Sequence, residues 1–544
     1  MKKSSFMHGA FIATLGIVIT KIIGILYVIP FYQIIGEKGG ALYGYAYNIY
    51  NIFLNISSAG IPMAISKIIS EYNVLGLYED KKEAFRIGKK MAIILSSVSF
   101  IILFFFAPSI AYLIIGDVQG GNTIYEITLV IRIISTAIII VPILSIYRGY
   151  FQGHKYIKPT SISQIIEQLV RVSVILIGSY LTLKVFNLSL TTSVGIAVFG
   201  ATVGALFSYF YILKKYYDNK SQFEKDKLDS KRTISSKDIF KQIIIYAIPL
   251  VLIDVFKSLY NSVDMITLVK TLVNGIGYQV KDAESIMSVI STWGLKLNMI
   301  VTSIGSGIVI SLVPNLSESY ITNNQKGIND KVNKTLQVLL FFTLPMTVGL
   351  SLLSKPIWII FYGYNELGFT TFSYSIFIAF FLSLFLTMIS ITQLLKEYKV
   401  VIISLIIGIL SKLILNVPLI YLFNRVNLPP YYGSITATII GYLIPFIICM
   451  VYLKKKFNLK YQSTMKSFSH ILLATVLMAI TIILTRNLLP YYSLSRVVNI
   501  PIVILYTILG GSIYFVYMWK SGMIFKLFGN KIIKKIKDKV DNLF

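Results

Sequence analysis

The sequence predicts an all-α polytopic membrane protein with about fourteen transmembrane helices: two six-helix lobes related by a two-fold axis along the membrane normal, plus two C-terminal helices. Three observations carry this. Of 544 residues, 56% are hydrophobic and only 14% are charged, with mean hydropathy +0.74. Apolar runs of about 20 residues, the length that crosses a bilayer core of roughly 30 Å, recur from end to end. Short motifs in the first half also return in the second.

The expected spans lie near 8–35, 43–71, 88–115, 124–149, 159–183, 192–213, 241–269, 284–313, 333–362, 370–394, 400–423, 432–453, 467–487 and 497–519. Met1 to Lys3 ahead of an apolar run resembles a signal peptide, but the run is 28 residues long and no small-residue cleavage site follows, so span 1 is expected to stay attached. The connections are too short for a soluble catalytic domain. In this order the chain divides into an N-lobe (1–213), a basic loop (214–240), a C-lobe (241–453), two further helices (454–519) and a basic tail (520–544). Lysine recurs among Ile, Leu and Phe in the tail, which predicts an interfacial amphipathic helix.

The formal net charge of +28 reports topology. Of 51 Lys and Arg, 36 fall on one set of alternate connections or its margins and 7 on the other. That bias places both termini and the 214–240 loop in the cytoplasm, against an anionic inner leaflet, and leaves nucleic acid no part as a partner. The single cysteine, Cys449, excludes an internal disulfide. His8, His154 and His470 have no ligand-like spacing, so no metal is expected. No GxxxxGK[ST] string occurs, which excludes a Walker-type ATP site.

The internal repeat is specific. GIPMAISKIISEY from Gly60 echoes GIVISLVPNLSESY from Gly307, with Ser70-Glu71 and Ser317-Glu318 at the same offset. One span later, APSIAYLIIG from Ala107 echoes KPIWIIFYG from Lys355. Lys21 in span 1 has a counterpart in Lys257 of span 7. An even number of spans separates each pair, so both copies enter the membrane in the same sense, as transporter lobes do.

Charges at mid-membrane mark the candidate site. Lys21, Arg171, Lys257, Lys296 and Lys412 fall near the centres of their spans, and Arg132 lies in the outer half of span 4. A charge there costs roughly 2.5–3.5 kcal/mol on insertion scales and should not face lipid. Two acids sit at pairing distance in sequence, Glu167 with Arg171 and Asp254 with Lys257; Asp264 lies further outward. The surplus of cations predicts a hydrated cavity for an anion, with Asp254, Asp264 and Glu167 as candidates for charge pairing or ion coupling. Lys67 and Lys355, near span ends, are expected to snorkel.

The string YRGYFQGHKYIKPTSISQIIEQLVRV (147–172), with the segment from Gly39 to Asn73, resembles the stage V sporulation protein B branch of the multidrug/oligosaccharidyl-lipid/polysaccharide exporter superfamily. Within it, the chain is most similar to MurJ-type lipid II flippases. The resemblance implies a 6+6+2 layout, a cationic cavity for a lipid-linked pyrophosphate, and a groove near the last two spans for an isoprenoid tail. A basic residue in the first helix is a family feature, and Lys21 fills it where Arg is common; the swap keeps charge and loses a bidentate phosphate fork. The resemblance therefore implies a flippase rather than an enzyme, needing no cofactor and driven by membrane potential or an ion gradient. It would act as a monomer, with cell-wall synthesis proteins as further candidate partners. The rivals are a flippase for another lipid-linked glycan (capsule, teichoic acid or sporulation), a cation-coupled drug exporter, and a membrane glycosyltransferase. A surplus of central cations disfavours the drug exporter. The small outer loops, such as Gly36 to Gly40, disfavour the enzyme.

Overall fold

The computed structural model describes residues 20–58, 60–224 and 232–529. The start of span 1, part of the basic loop and the amphipathic tail from residue 530 lie outside the described residues. Among the described residues the regular structure is helical, with no strand, and twelve helices are long and apolar enough to cross a membrane. Within the described residues, two of the expected spans depart from a single regular helix. Span 1 is described only from Thr20, and its helix runs on through a kink at Gly36 into the next. Span 8 is interrupted at Val289–Trp293 by a wider helical turn.

The chain packs as two compact units, Met1–Trp293 and Gly294–Phe544. The first holds α1 (Val28–Ser58), α2 (Ile61–Val74), α3 (Tyr78–Phe105), α4 (Ala107–Ile115), α5 (Ile124–Gly153), α6 (Ile157–Ser173), α7 (Leu190–Glu224), α8 (Ser236–Lys270) and α9 (Val280–Ser288). The second holds α10 (Gly294–Ile321), α11 (Gln325–Leu352), α12 (Ser354–Tyr362), α13 (Glu366–Leu394), α14 (Tyr398–Arg425), α15 (Tyr431–Lys456), α16 (Gln462–Thr485), α17 (Arg496–Lys520) and α18 (Met523–Phe528). Large apolar side chains such as Ile94, Phe105, Ile414 and Val497 lie exposed, as expected of helices solvated by lipid.

The helix ends follow the sequence. TxxE at Thr123 forms a full capping box: the Glu126 N–H donates to Thr123 Oγ1 at 3.2 Å and the Thr123 N–H to Glu126 Oε2 at 2.7 Å. Thr191 Oγ1 then donates to Glu126 Oε1 at 2.8 Å, tying the start of α7 to that of α5. The repeat is visible in α4 and α12. Each has nine residues, a proline in its first turns (Pro108, Pro356), and a following glycine at positive φ, Gly116 at 57° and Gly363 at 88°. Only glycine adopts that geometry cheaply, and it stops the helix there.

The other repeat diverges. Pro62 opens α2 after a break at Gly60, whereas α10 runs unbroken through Gly307. The expected outer loop Gly36–Gly40 is instead part of α1, kinked at Gly36, and there Gly40 meets buried Trp293; a Cβ at Gly40 would lie 2.2 Å from Nε1. At the other end of this unit the Asp80 carboxylate is fully buried. It accepts from the Thr233 N–H and Oγ1, at 3.2 and 2.7 Å, and from the Ile234 N–H at 2.9 Å. This clamp fixes the start of α8 against the first turn of α3.

Candidate functional site

In the first unit, α6 carries Glu167 and Arg171 one turn apart, and both expected local ion pairs form. Arg171 Nη2 donates to Glu167 Oε1. Glu167 Oε2 also accepts from Arg148 Nη2 at 2.8 Å, and Arg148 reaches Ser163 Oγ at 2.9 Å and Ser208 Oγ at 2.8 Å. One carboxylate thus joins two guanidinium groups in a part-buried triad with a net charge of +1. Sequence reasoning did not single out Arg148. The signal was there: in the quoted string Arg148 stands 15 residues before Ser163, and both lie on helices whose small and polar faces meet.

Lys21 lies half-buried on the described end of span 1. One turn on, a Cβ at Gly24 would make an ordinary van der Waals contact, 3.5 Å, with the Gln168 side-chain Nε2 of α6. The turn bearing Lys21 therefore packs beside the residue that follows Glu167. On α8, Lys257 Nζ donates to Asp254 Oδ1 at 2.7 Å, and both side chains stay over a third exposed. Asn55 Nδ2 holds this level of α8 to α1 through the Asp254 carbonyl at 3.1 Å and Ser258 Oγ at 2.8 Å. Asp264 is buried, ten residues beyond Asp254 on α8.

Arg132 has a local structural task. Its Nε donates to the Phe104 carbonyl at 3.2 Å, and its guanidinium lies 5.4 Å from the Phe104 ring centroid. It thus satisfies a carbonyl in the last turn of α3, where positive charge is favoured.

In the second unit Lys296 is half-buried on α10, whereas Lys412 is fully enclosed. The Lys412 ammonium donates to Asn416 Oδ1 at 2.8 Å, the Ser434 carbonyl at 2.9 Å and Thr438 Oγ1 at 2.5 Å. Span position gave its depth but not its direction. Ser404, Gly408, Lys412 and Asn416 form one buried stripe of α14, facing the stripe of α15 that carries Ser434 and Thr438.

The same unit holds an apolar cavity of about 290 Å³ between α11, α16 and α17, lined by residues including Pro345, Gly349, Met478, Gly510 and Gly511. From Val503 to Phe515 its α17 wall runs about 18 Å at 1.5 Å per residue. Phe528 of α18 packs against Phe341 and Phe342 at one end, with centroids 5.4 and 6.1 Å apart. Toward the other end, Arg486 and the Tyr491 hydroxyl both donate to the Leu352 carbonyl. Among the described residues no cluster of His, Cys, Asp and Glu could hold a metal ion.

Outside the spans, His154 sits in the α5–α6 turn with Nδ1 2.9 Å from the Tyr150 carbonyl and its ring 4.3 Å from that of Phe223. Burial pulls its pKa down to about 4; the Tyr150 carbonyl opposes that and the Lys81 charge adds to it.

Residues 6–318 match the polysaccharide biosynthesis protein family. The chain is 33% identical over 540 residues to the lipid II flippase MurJ of Bacillus subtilis (strain 168), covering 97% of this chain and 98% of that one. It is 26% identical over 250 residues to stage V sporulation protein B of the same organism, covering 46% of each. Among solved structures, lipid II flippase MurJ in an inward closed conformation aligns with TM-score 0.63 at 18% identity, covering 95% of this chain and 99% of that one. An inward-facing multidrug resistance MATE family transporter of the MOP superfamily aligns with TM-score 0.62 at 13% identity, covering 82% and 98%. The two structural likenesses speak for the fold, and the near full-length sequence identity for the lineage: this chain belongs to the polysaccharide biosynthesis protein family, in its MurJ lipid II flippase branch.

Proposed function

We propose that this membrane protein is a flippase that moves an undecaprenyl-pyrophosphate-linked peptidoglycan precursor from the inner to the outer leaflet of the bacterial cell membrane by alternating access. The observation that carries the reading is the cation surplus of the first unit. Glu167 is shared by two arginines, leaving a net positive charge beside the turn of Lys21, and Lys257 is paired yet open. A pyrophosphate supplies the missing negative charge, with Lys21, Arg171 and Lys257 as its ligands. The enclosed Lys412 holds α14 to α15 instead. The long apolar cavity of α11, α16 and α17 suits a segment of isoprenoid chain.

Both termini face the cytoplasm in this reading, as the 36-to-7 division of basic residues favours. Membrane potential is the driving force: moving one net negative charge outward gains about 2.3 kcal/mol per 100 mV, inside negative. The test is complementation. In a host depleted of its own lipid II flippase, this gene is expected to restore growth and lipid II export, and Lys21→Ala to reduce export at least tenfold at equal expression. Failure of the wild type sinks the substrate assignment; full activity of Lys21→Ala removes the first residue of the phosphate site.

A further inference from the structure

The repeat GIPMAISKIISEY carries two charges that the phosphate site leaves unused. Helix α2 buries Ile61, Ala64, Ile65, Ile68, Ile69 and Tyr72. The opposite stripe, with Ser66, Lys67, Ser70 and Glu71, joins Gln152 of α5 in lining a cavity of about 830 Å³. That volume holds several sugar or amino-acid units.

Lys67 and Glu71 stand one turn apart, a spacing at which opposite charges usually close on each other. Among the described residues they form no ion pair. The Lys67 ammonium instead lies 3.6 Å from the ring centroid of Tyr246 on α8. That helix is held to α2 by the Tyr72 hydroxyl, which donates to Gln242 Oε1 at 2.6 Å. The aromatic ring thus keeps the cation off its neighbouring anion, and both remain exposed along the cavity. The second copy of the repeat keeps the acid as Glu318 but has Val313 and Pro314 in place of Ser66 and Lys67. The helix pattern common to both copies therefore does not require the lysine.

We propose that this cavity receives the hydrophilic headgroup of the transported lipid, reading a short peptide attached to its glycan. Lys67 takes a peptide carboxylate, Glu71 takes an ammonium, and Ser66, Ser70 and Gln152 meet hydroxyl and amide groups. A headgroup carrying only one sign of charge leaves one of the two partners unmatched, so the site favours a zwitterion. This assignment rests on the flippase reading above and names the part of the substrate that its phosphate site does not touch.

Calorimetry on the full chain in lipid nanodiscs tests it, with lipid-free N-acetylmuramoyl pentapeptide as probe and uncharged N-acetylglucosamine disaccharide as control. The peptide-bearing probe is expected to bind the wild type more tightly than the disaccharide. Lys67→Met and Glu71→Gln are each expected to weaken the former about tenfold and leave the latter unchanged. Lys67→Arg is expected to retain binding, which separates charge recognition from damage to α2. No binding of the pentapeptide to wild type, equal binding by the neutral variants, or equal loss for both probes overturns the proposal. Movement of lipid II by the wild type in vesicles is scored separately: if it occurs while pentapeptide binding ignores both charges, the headgroup site falls and the flippase reading stands.

Discussion

Arg171 and Lys412 were expected at the same depth with the same task, and the protein satisfies them by opposite means. Arg171 shares an acid with a second arginine, so its region keeps an unspent positive charge. Lys412 spreads its three hydrogens over a carboxamide, a backbone carbonyl and a hydroxyl, and is sealed from solvent. A mid-membrane cation can therefore be poised for an outside anion or consumed in joining two helices. Depth in a span does not distinguish the two; the chemistry of the facing helix does.

The contrast breaks most clearly at Glu167. Glu167→Gln strands two guanidinium groups in a part-buried site, and breaking such a pair typically costs about 3–5 kcal/mol. Thermal unfolding in detergent is expected to register the largest drop of any single change discussed, and an unchanged Tm would falsify the triad's role. Lys412→Met should cost less, about 1–3 kcal/mol, because it leaves only neutral acceptors unmet. If it proves more damaging than Glu167→Gln, the ranking of the two regions inverts.

The acid response of His154 sharpens the comparison at a site outside the membrane. Its folded pKa, about 4, lies below the unfolded value of about 6.5, so the unfolded chain binds the proton more readily. The contribution of neutral His154 is complete above pH 6.5 and is lost as pH falls from 6.5 toward 4, reaching about 3 kcal/mol at the lower end. His154→Phe, which keeps the ring contact with Phe223, is expected to flatten that part of the Tm–pH curve. A slope that persists in the variant assigns the acid sensitivity to other groups.

Much of this was legible in the chain. Proline and glycine placed α4 and α12 at matching points, because a helix start tolerates proline and a positive-φ stop demands glycine. The local pairs of Glu167 and Asp254 followed from helical spacing alone. What stayed hidden depended on which face meets which. Arg148 joins its acid across 19 residues and two helices, and Lys412 turns toward α15 rather than toward water. The GIPMAISKIISEY repeat was legible as a repeat, but the separation of Lys67 from Glu71 was not. It depends on Tyr246, more than 170 residues away.

The Asp80 clamp has a practical meaning for the long basic connection. Because four contacts from one buried carboxylate set where α8 begins, the length of the chain between Glu224 and Arg232 does not determine the register of that helix. The start of α8 is thus set from the first turn of α3, 153 residues earlier in the chain.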